Sequence, residues 1–175
     1  MLQAEGAFRL AILTTGGTID KTYDETDGSL RNVRSVLDEI LSNLRLVDLA
    51  IHHVPVMSKD SLDMTDVDRK RVMDSVRAQL GSHDAVVVIH GTDTLSATGE
   101  KLAQELQDLK IPVVLTGAFR PFEFRDTDAL QNVTESLIAA RLLPAGVFAV
   151  MHGRALPFPG VVKHRGRGTF VHSTS

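Results

Sequence analysis

Hydroxyl and carboxylate side chains follow two apolar runs that are typical of buried strands. Thr14-Thr15-Gly16-Gly17-Thr18 comes after Leu10 to Leu13, and His90-Gly91-Thr92-Asp93-Thr94 comes after Ala85 to Ile89. In an open α/β sheet, ligands bind in the crevice outside the carboxyl ends of the strands, so both loops are predicted to face one pocket. Hydroxyls there indicate nucleophilic chemistry, in which a weak threonine nucleophile is activated by a neighbouring base or proton relay.

Each loop also has a purely structural interpretation. Gly16 and Gly17 suit a plain strand–helix turn that needs positive φ, and Asp93 or Thr94 would serve well as a helix N-cap. The segment Ser61-Leu62-Asp63-Met64, at the analogous place after another strand, also fits capping. A cap and a site are compatible, because the N-terminus of a helix can also stabilise an anion.

A basic run near the C-terminus contains a further candidate. Lys163-His164-Arg165-Gly166-Arg167 is short and stands in a chain of net charge −3, so a nucleic-acid patch is not favoured. The arginines are predicted to lie at a solvated hairpin tip, with Lys163 on the strand side of that tip. A lysine drawn into a partly buried site can act as a base.

The composition excludes several classes of site and partner. The chain has no cysteine, which removes disulfides, thiolate zinc sites and cysteine nucleophiles. Its seven histidines show no regular metal-ligand spacing and are expected mostly at the surface or at strand edges, so no metal or cofactor is expected. Neither a signal peptide nor a membrane-spanning run is recognisable, so we expect a cytoplasmic protein that binds neither nucleic acid nor membrane.

Alternating apolar patterns predict the elements that would position these residues. Strands are expected at 8–15, 51–56, 85–89, 111–116 and 146–151, with amphipathic helices over 33–44, 65–81, 95–109 and 130–138. The polar segment 19–32, with the turn signal Asp27-Gly28, is expected to be a long loop or lid. The order predicts one α/β domain over residues 1–175: a mostly parallel sheet flanked by helices on both faces, with a C-terminal β-hairpin at 158–172.

In this order, the separate segments resemble those of the bacterial-type L-asparaginases, a family of threonine amidohydrolases. The resemblance covers nearly the whole chain. It rests on Thr15-Gly16-Gly17-Thr18-Ile19, Ser61-Leu62-Asp63-Met64, His90-Gly91-Thr92-Asp93-Thr94, Thr116-Gly117-Ala118-Phe119-Arg120-Pro121 and Lys163. Tyr23, the sole tyrosine, lies in the lid segment where the family has its active-site tyrosine.

The resemblance implies a role for each of these residues. Thr15 would be the nucleophile, assisted by Tyr23, while Thr92, Asp93 and Lys163 would form a second catalytic cluster with the lysine as base or relay. The residues implied to contact the substrate are Gly16, Ser61, Asp63, Gly91, Thr92, Asp93 and Ala118. No metal or cofactor is implied. Which of the two threonines attacks stays open at the level of the sequence.

The implied reaction is hydrolysis of the side-chain amide of L-asparagine to L-aspartate and ammonia through an acyl-enzyme. Leu62 stands where several family members have a glutamine near the substrate amine, and an apolar side chain cannot accept that hydrogen bond. The family normally carries a second, smaller C-terminal domain, so the chain resembles the short form that consists of the N-terminal domain alone. Dimers and tetramers prevail in the family, which implies a homo-oligomer.

Two alternatives remain at this point. The first is a non-catalytic amino-acid binding module, and the second is an amidase with broader specificity for glutamine or another amide. A binder needs neither a nucleophile nor a base, so the presence of both favours an enzyme.

Overall fold

A six-stranded sheet organises the residues that the computed structural model describes, which are 6–32 and 34–173. In chain order the strands are β1 (Phe8–Thr14), β2 (Lys21–Asp24), β3 (Ser29–Asn32), β4 (Leu49–Pro55), β5 (Ala85–Ile89), β6 (Pro112–Thr116), β7 (Gly146–Met151), β8 (Arg154–Pro157), β9 (Val161–His164) and β10 (Thr169–His172). The α-helices are α1 (Leu37–Ser42), α2 (Asp66–Gln79), α3 (Leu95–Glu105) and α4 (Ala129–Leu142).

The main sheet has the strand order β4-β1-β5-β6-β7-β8. Its first five strands are parallel, and β8 joins β7 in the antiparallel direction. Because β4 lies on one side of β1 and β5 on the other, the strand order reverses between β1 and β5. Such a reversal opens the crevice in which α/β proteins bind ligands. The predicted mostly parallel sheet and the C-terminal hairpin, formed by β9 and β10, are confirmed.

The core lies on both faces of this sheet, as the continuous apolar runs indicated. In β1, Ala11 and Leu13 pack with α2, α3 and the C-terminal hairpin, whereas Leu10 and Ile12 pack with α1 and α4. Successive strand residues point to opposite faces, so where a strand is covered on both sides, as from Leu10 to Leu13, consecutive residues are all apolar. Among the residues that the structure describes, no helix is both long and apolar enough to cross a membrane.

Helix α2 begins where the sequence predicted. The Thr65 hydroxyl accepts from Asp68 N at 3.3 Å, and the Asp68 carboxylate accepts from Thr65 N at 2.7 Å, which together form a capping box. The carboxylate also receives Lys59 Nζ at 2.7 Å. The Lys59 hydrogen bond, followed by those from Thr65, lowers the pKa of Asp68 to about 2.

Helix α1 is shorter than the predicted helix over 33–44. Val33 lies outside the described residues, Val36 is the N-cap and the helix ends at Ser42. The buried carboxylate of Asp20 accepts from Val36 N at 2.9 Å, and the Ser35 hydroxyl accepts from Leu37 N at 3.2 Å. Side chains therefore satisfy the amides that a further helical turn would have satisfied, and the apolar spacing cannot reveal the distant Asp20.

The segment 19–32 is not the loop that the sequence predicted. After a 3₁₀ turn at Thr18–Asp20, β2 and β3 form an antiparallel hairpin. Gly28 lies in its turn at φ +72°, as the Asp27-Gly28 pair indicated. The prediction was wrong because polar composition suggested a loop, whereas cross-strand pairing satisfies this backbone.

Other differences lie at element ends. Helix α3 ends at Glu105 rather than near Leu109, and α4 runs from Ala129 to Leu142, beyond both predicted limits. Strand β8 was not predicted, since Arg154-Ala155-Leu156-Pro157 lacks β-branched residues and forms through its pairing with β7. The first strand of the C-terminal hairpin starts at Val161 rather than Phe158.

Candidate active site

Three loops converge at the crevice between β1 and β5, and glycines make their close approach possible. A Cβ atom added at Gly17 would lie 2.5 Å from Gly91 Cα, and one added at Gly91 would lie 2.6 Å from Ser61 Oγ. Gly17 also has φ +98° and ψ −172°, a region that is essentially restricted to glycine. The glycines thus bring the loops after β1, β4 and β5 together, so the prediction that the two threonine loops face one site agrees with their geometry.

Thr15, the candidate nucleophile, is completely buried in this arrangement. Its Oγ1 donates to Ile89 O at 3.0 Å, and its backbone N–H donates to the same carbonyl at 3.1 Å. Lys59 N donates to Thr15 O at 3.0 Å, which fixes the loop after β4 beside it. The hydroxyl is therefore held by the neighbouring strand, and attack on a substrate would require it to turn away from Ile89.

Thr92 has a basic partner at its hydroxyl. Lys163 Nζ lies 2.8 Å from Thr92 Oγ1 and 2.9 Å from Asp93 Oδ1. The lysine, on β9, has 14% of its side chain exposed and places its ammonium 4.6 Å from the centre of the Phe119 ring. A cation over an aromatic face is stabilised by the ring quadrupole, so the position of the lysine is fixed from several sides. The structure brings Thr92, Asp93 and Lys163 into one cluster, as the sequence analysis expected.

Asp93 also forms an ion pair with Arg165, which the sequence predicted only as part of a solvated hairpin tip. Arg165 Nη2 lies 3.0 Å from the same Oδ1 atom that Lys163 contacts. The Arg165 side chain is 77% exposed, so it does lie at the solvated hairpin tip, but its guanidinium reaches back to the site. This contact was missed because a short, glycine-containing basic run resembles a solvated turn.

The loop after β5 supplies the N-cap residue of α3, as the capping interpretation predicted, but not a capping side chain. Thr94 occupies the N-cap of α3 without a side-chain cap hydrogen bond, and its hydroxyl donates to Ser61 O at 2.8 Å. Asp93 binds the two cations described above. The polar side chains of this loop therefore tie the site together instead of capping the helix.

Ser61 is buried at the start of a 3₁₀ turn that spans Ser61–Asp63. Asp60 caps this turn by accepting from Leu62 N at 3.0 Å, so Ser61 is not the capping residue. Asp63 is exposed and Leu62 is 67% exposed. Of the residues expected here to contact substrate, Ser61 lies against Gly91, whereas Asp63 is directed towards solvent.

A fourth loop, the one after β6, also packs against the site. Ala118 is buried, and a Cβ atom added at Gly117 would lie 2.2 Å from His90 O and 3.6 Å from Thr92 Cγ2. Gly16, with φ +94°, has no room for a side chain either, because a Cβ atom there would lie 2.4 Å from Lys59 N. Gly16 and Gly91 thus lie at close contacts between the loops, and Ala118, next to Gly117 in sequence, is buried. Their contact with a substrate stays a prediction.

Tyr23 is not brought to Thr15 in this structure. It lies on β2, is 62% exposed, and its hydroxyl oxygen lies 3.7 Å from the position that a Cβ atom would take at Gly28 in the same hairpin. The hairpin is attached to the body through Tyr23 N, which donates to Glu123 Oε1 at 2.8 Å, and through an ion pair of 2.6 Å between Lys21 and Asp60. Assistance by Tyr23 would therefore require a rearrangement of its side chain or of the hairpin.

His90 is a positioning residue that the sequence analysis did not single out. The imidazole is fully buried, with Nδ1 at 2.8 Å from Gly91 O and Nε2 at 2.9 Å from Thr98 Oγ1. Since a carbonyl can only accept, Nδ1 carries the proton and Nε2 accepts from Thr98. Burial lowers the pKa of His90 to about 4, against the opposing effect of the Gly91 carbonyl, so the ring is neutral at physiological pH.

A second unpredicted network supports the loop after β6. Asp128 accepts from the backbone N–H groups of Phe119 and Arg120 at 3.0 Å, from Asn132 Nδ2 at 2.9 Å and from His152 Nε2 at 2.8 Å. Burial raises the pKa of Asp128, but the hydrogen bonds from Phe119, His152 and the backbone N–H groups of Arg120 and Asp128 together outweigh burial and leave the pKa lowered. Because the Phe119 ring lies over Lys163, the network indirectly fixes the cluster around Thr92.

Hydroxyls, a lysine and a carboxylate thus lie at the switch point of a parallel sheet, the place where α/β proteins bind their ligands. The family model described as "Asparaginase, N-terminal" matches residues 9–171, so the chain belongs to the asparaginase family through its N-terminal domain. This confirms the resemblance inferred from the motifs.

Individual relatives agree with this assignment. L-asparaginase 1 of Escherichia coli K12 is 31% identical over 136 residues, which are 74% of this chain and 39% of that protein. A subunit of the glutamyl-tRNA(Gln) amidotransferase of Methanobrevibacter smithii is 31% identical over 146 residues, 82% of this chain and 33% of that protein. The structure of the thermostable L-asparaginase from Thermococcus kodakarensis superimposes with a TM-score of 0.84 at 27% identity, covering 94% of this chain and 51% of that one.

The chain therefore spans about a third to two fifths of the length of these curated relatives.

Proposed function

We propose that this protein hydrolyses the side-chain amide of L-asparagine to L-aspartate and ammonia. The observation that carries the proposal is the cluster of Lys163, Thr92 and Asp93, joined by contacts of 2.8 and 2.9 Å beside the buried Thr15. This arrangement supplies a hydroxyl, a proton carrier and a carboxylate within one crevice, which are the groups that two-step acyl transfer needs.

In the proposed mechanism, Thr15 Oγ1 leaves its hydrogen bond to Ile89 O and attacks the amide carbon. The C–N bond breaks as ammonia takes up a proton, and an ester to Thr15 remains. Water then adds to the ester, its proton returns to the threonine oxygen, and L-aspartate is released. Thr92 and Lys163 would carry the protons, including the one that passes from Thr15 Oγ1 to the departing nitrogen, since Lys163 Nζ already donates to the Thr92 hydroxyl at 2.8 Å.

The substrate would be oriented by its two charged groups. Asp93, with 24% of its side chain exposed, would face the ammonium, and Ser61 with nearby backbone N–H groups would hold the carboxylate. The β2–β3 hairpin would close over the crevice and bring Tyr23 towards Thr15, which would exclude water during the first step.

The roles of the two hydroxyls are tested by Thr15→Val and Thr92→Val, with Thr134→Val on α4 as the matched control. Each site variant should lower kcat/KM for ammonia release by about a hundredfold or more, because nucleophilic and proton-transfer groups contribute at least that much. Mass spectrometry of the protein mixed with substrate should show an acyl adduct on Thr15. An adduct on Thr92 would reassign the nucleophile, and near-wild-type turnover in both site variants would refute the mechanism.

A second candidate function follows from the similarity to part of an amidotransferase. In that case the ammonia would be passed to an acceptor rather than released. Steady release of free ammonia from L-asparagine by the purified protein alone supports the hydrolase. Turnover of L-asparagine only with an acceptor present, with the amide nitrogen recovered in that acceptor, supports the transferase. A non-catalytic binding module would retain L-aspartate without releasing ammonia from L-asparagine.

Substrate choice, assembly and location are also parts of the proposal. We expect kcat/KM for L-asparagine to exceed that for L-glutamine strongly, since discrimination is expressed in that ratio. We further propose that the protein works in the cytoplasm as a homo-oligomer. Sedimentation of the purified protein would test the assembly, and a monomer that is fully active would contradict it.

A further inference from the structure

The carboxylate of Asp93 is surrounded by more positive charge than it can balance. Lys163 Nζ lies 2.9 Å and Arg165 Nη2 lies 3.0 Å from the same oxygen, Oδ1. One negative charge thus meets two positive charges at the atom that, in the proposed function, faces the substrate ammonium.

The two cations differ in how firmly they are held. Lys163 has 14% of its side chain exposed and also contacts the Thr92 hydroxyl and the Phe119 ring. The Arg165 side chain is 77% exposed, and among the described residues Asp93 is the sole hydrogen-bond or ion-pair partner of its guanidinium. Lys163 is therefore held from several sides, whereas Arg165 is a largely exposed cation held at the site through Asp93.

We propose that Arg165 is a specificity-determining residue whose guanidinium competes with a substrate ammonium for Asp93. It thereby shifts the preference of the site towards amides that carry a carboxylate but no free ammonium, of which succinamate is the simplest. This inference rests on the proposed function, because it takes Asp93 as the group that faces the substrate.

Charge counting gives the direction of the effect. With L-asparagine bound, three cations (Lys163, Arg165 and the ammonium) would surround Asp93 and the substrate carboxylate. With succinamate, the two protein cations are balanced by Asp93 and the substrate carboxylate. Leu62, which follows the substrate-facing Ser61, is apolar and offers the ammonium no alternative acceptor.

The size of the effect follows from the exposure of the guanidinium. Exposed ion pairs are weak because water screens them, so displacing Arg165 from Asp93 should change relative affinity by about two- to fivefold. The effect belongs to ammonium binding and should therefore appear in KM for L-asparagine, with kcat little changed.

The test compares L-aspartate with succinate, which lacks only the ammonium, by titration calorimetry. The proteins are the wild type, Arg165→Gln, Arg165→Lys and the matched control Arg167→Gln, which changes a second exposed arginine of the same turn. Among the described residues, the Arg167 side chain forms no ion pair. Arg165→Gln should strengthen L-aspartate relative to succinate by about two- to fivefold, while Arg165→Lys and Arg167→Gln stay near the wild-type ratio.

An unchanged ratio in Arg165→Gln, an equal change in Arg167→Gln, or no binding of either ligand to any of the proteins would overturn the inference. Ammonia release from L-asparagine and succinamate, measured on the same proteins, separates it from the proposed function. An Arg165-dependent ligand ratio without ammonia release refutes the hydrolase and keeps the role of Arg165. Ammonia release together with a ratio of ligand affinities that does not depend on Arg165 supports the hydrolase and refutes the role of Arg165.

Discussion

Mild acid should destabilise this protein through one buried imidazole, that of His90. The ring is completely buried beneath the loop that carries Thr92, and burial lowers its pKa from 6.5 to about 4. The folded pKa thus lies below the unfolded value, because the native state holds the ring in its neutral form. The contribution to stability is complete above about pH 6.5 and is lost as the pH falls towards about 4.

The magnitude follows from the two pKa values. Unfolded His90 binds a proton below about pH 6.5, whereas the folded ring resists protonation until about pH 4. Linkage between these values removes about 2 kcal/mol of unfolding free energy at about pH 5 and about 3 kcal/mol at about pH 4. Since a domain is typically stable by only about 5–15 kcal/mol, such a loss should be readily measured.

The assay is urea unfolding between about pH 7.5 and 4.5 for the wild type, His90→Gln and His172→Gln. His172 is an exposed histidine of β10, so His172→Gln should keep the wild-type pH dependence. The difference between the wild type and His90→Gln isolates His90 from carboxylates that titrate in the same range. If His90→Gln does not fold, a direct NMR titration of the His90 ring in the wild type gives the same information.

Equal pH dependence in the wild type and His90→Gln would refute the reasoning. So would a directly measured pKa of His90 near 6.5, because it would mean that the imidazole is not desolvated in solution. A lowered pKa of His90 in the folded protein, together with equal unfolding of the wild type and His90→Gln, would mean that residual structure in the unfolded state lowers the pKa of His90 there as well.

The remaining predictions concern the supports of the site. Gly17→Ala should cost about 1–3 kcal/mol of unfolding free energy and abolish turnover, because its φ of +98° suits glycine alone and its Cβ atom would lie 2.5 Å from Gly91 Cα. Asp128→Asn should cost about 1–3 kcal/mol, since an amide group turned towards the Phe119 and Arg120 amides would leave donors unpaired. Urea unfolding and ammonia release measure both.

The glycine substitution has a matched control, and both predictions have a contrary outcome. Gly81→Ala adds a methyl group with nothing within 4 Å and no positive φ, so it should leave both stability and activity unchanged. A fully active Gly17→Ala would mean that the loops after β1 and β5 need not touch. For Asp128, wild-type stability in Asp128→Asn would show that the network does not hold the loop after β6.

Much of the fold was readable from the sequence, because its determinants are local. The apolar runs of β1 and β5 are continuous, which is the pattern of strands buried on both faces, and the capping box of α2 lies within four consecutive residues. The errors came where distant groups intervene. Asp20 shortens α1 through Val36 N, and pairing between strands turns segment 19–32 into a hairpin.

The site residues, too, were predictable where a local pattern determines them and not where distant groups intervene. The positions of Thr15 and Thr92 at the ends of buried strands follow from local pattern, and the motifs identified Ser61, Asp93 and Lys163. The proposed contacts of Tyr23 stay a prediction, since its side chain lies exposed on the hairpin.

The sequence by itself determined which chemical groups this protein has and the strand ends to which they are attached, since both are fixed within a few residues. Tertiary structure alone decided which groups meet. Lys163 reaches Thr92 across 71 residues and Arg165 reaches Asp93 across 72, through the packing of the C-terminal hairpin against the sheet. Likewise, His90 is neutral because packing removes water from it. Contacts and desolvation of this kind depend on where the folded chain brings distant segments, and no local pattern encodes them.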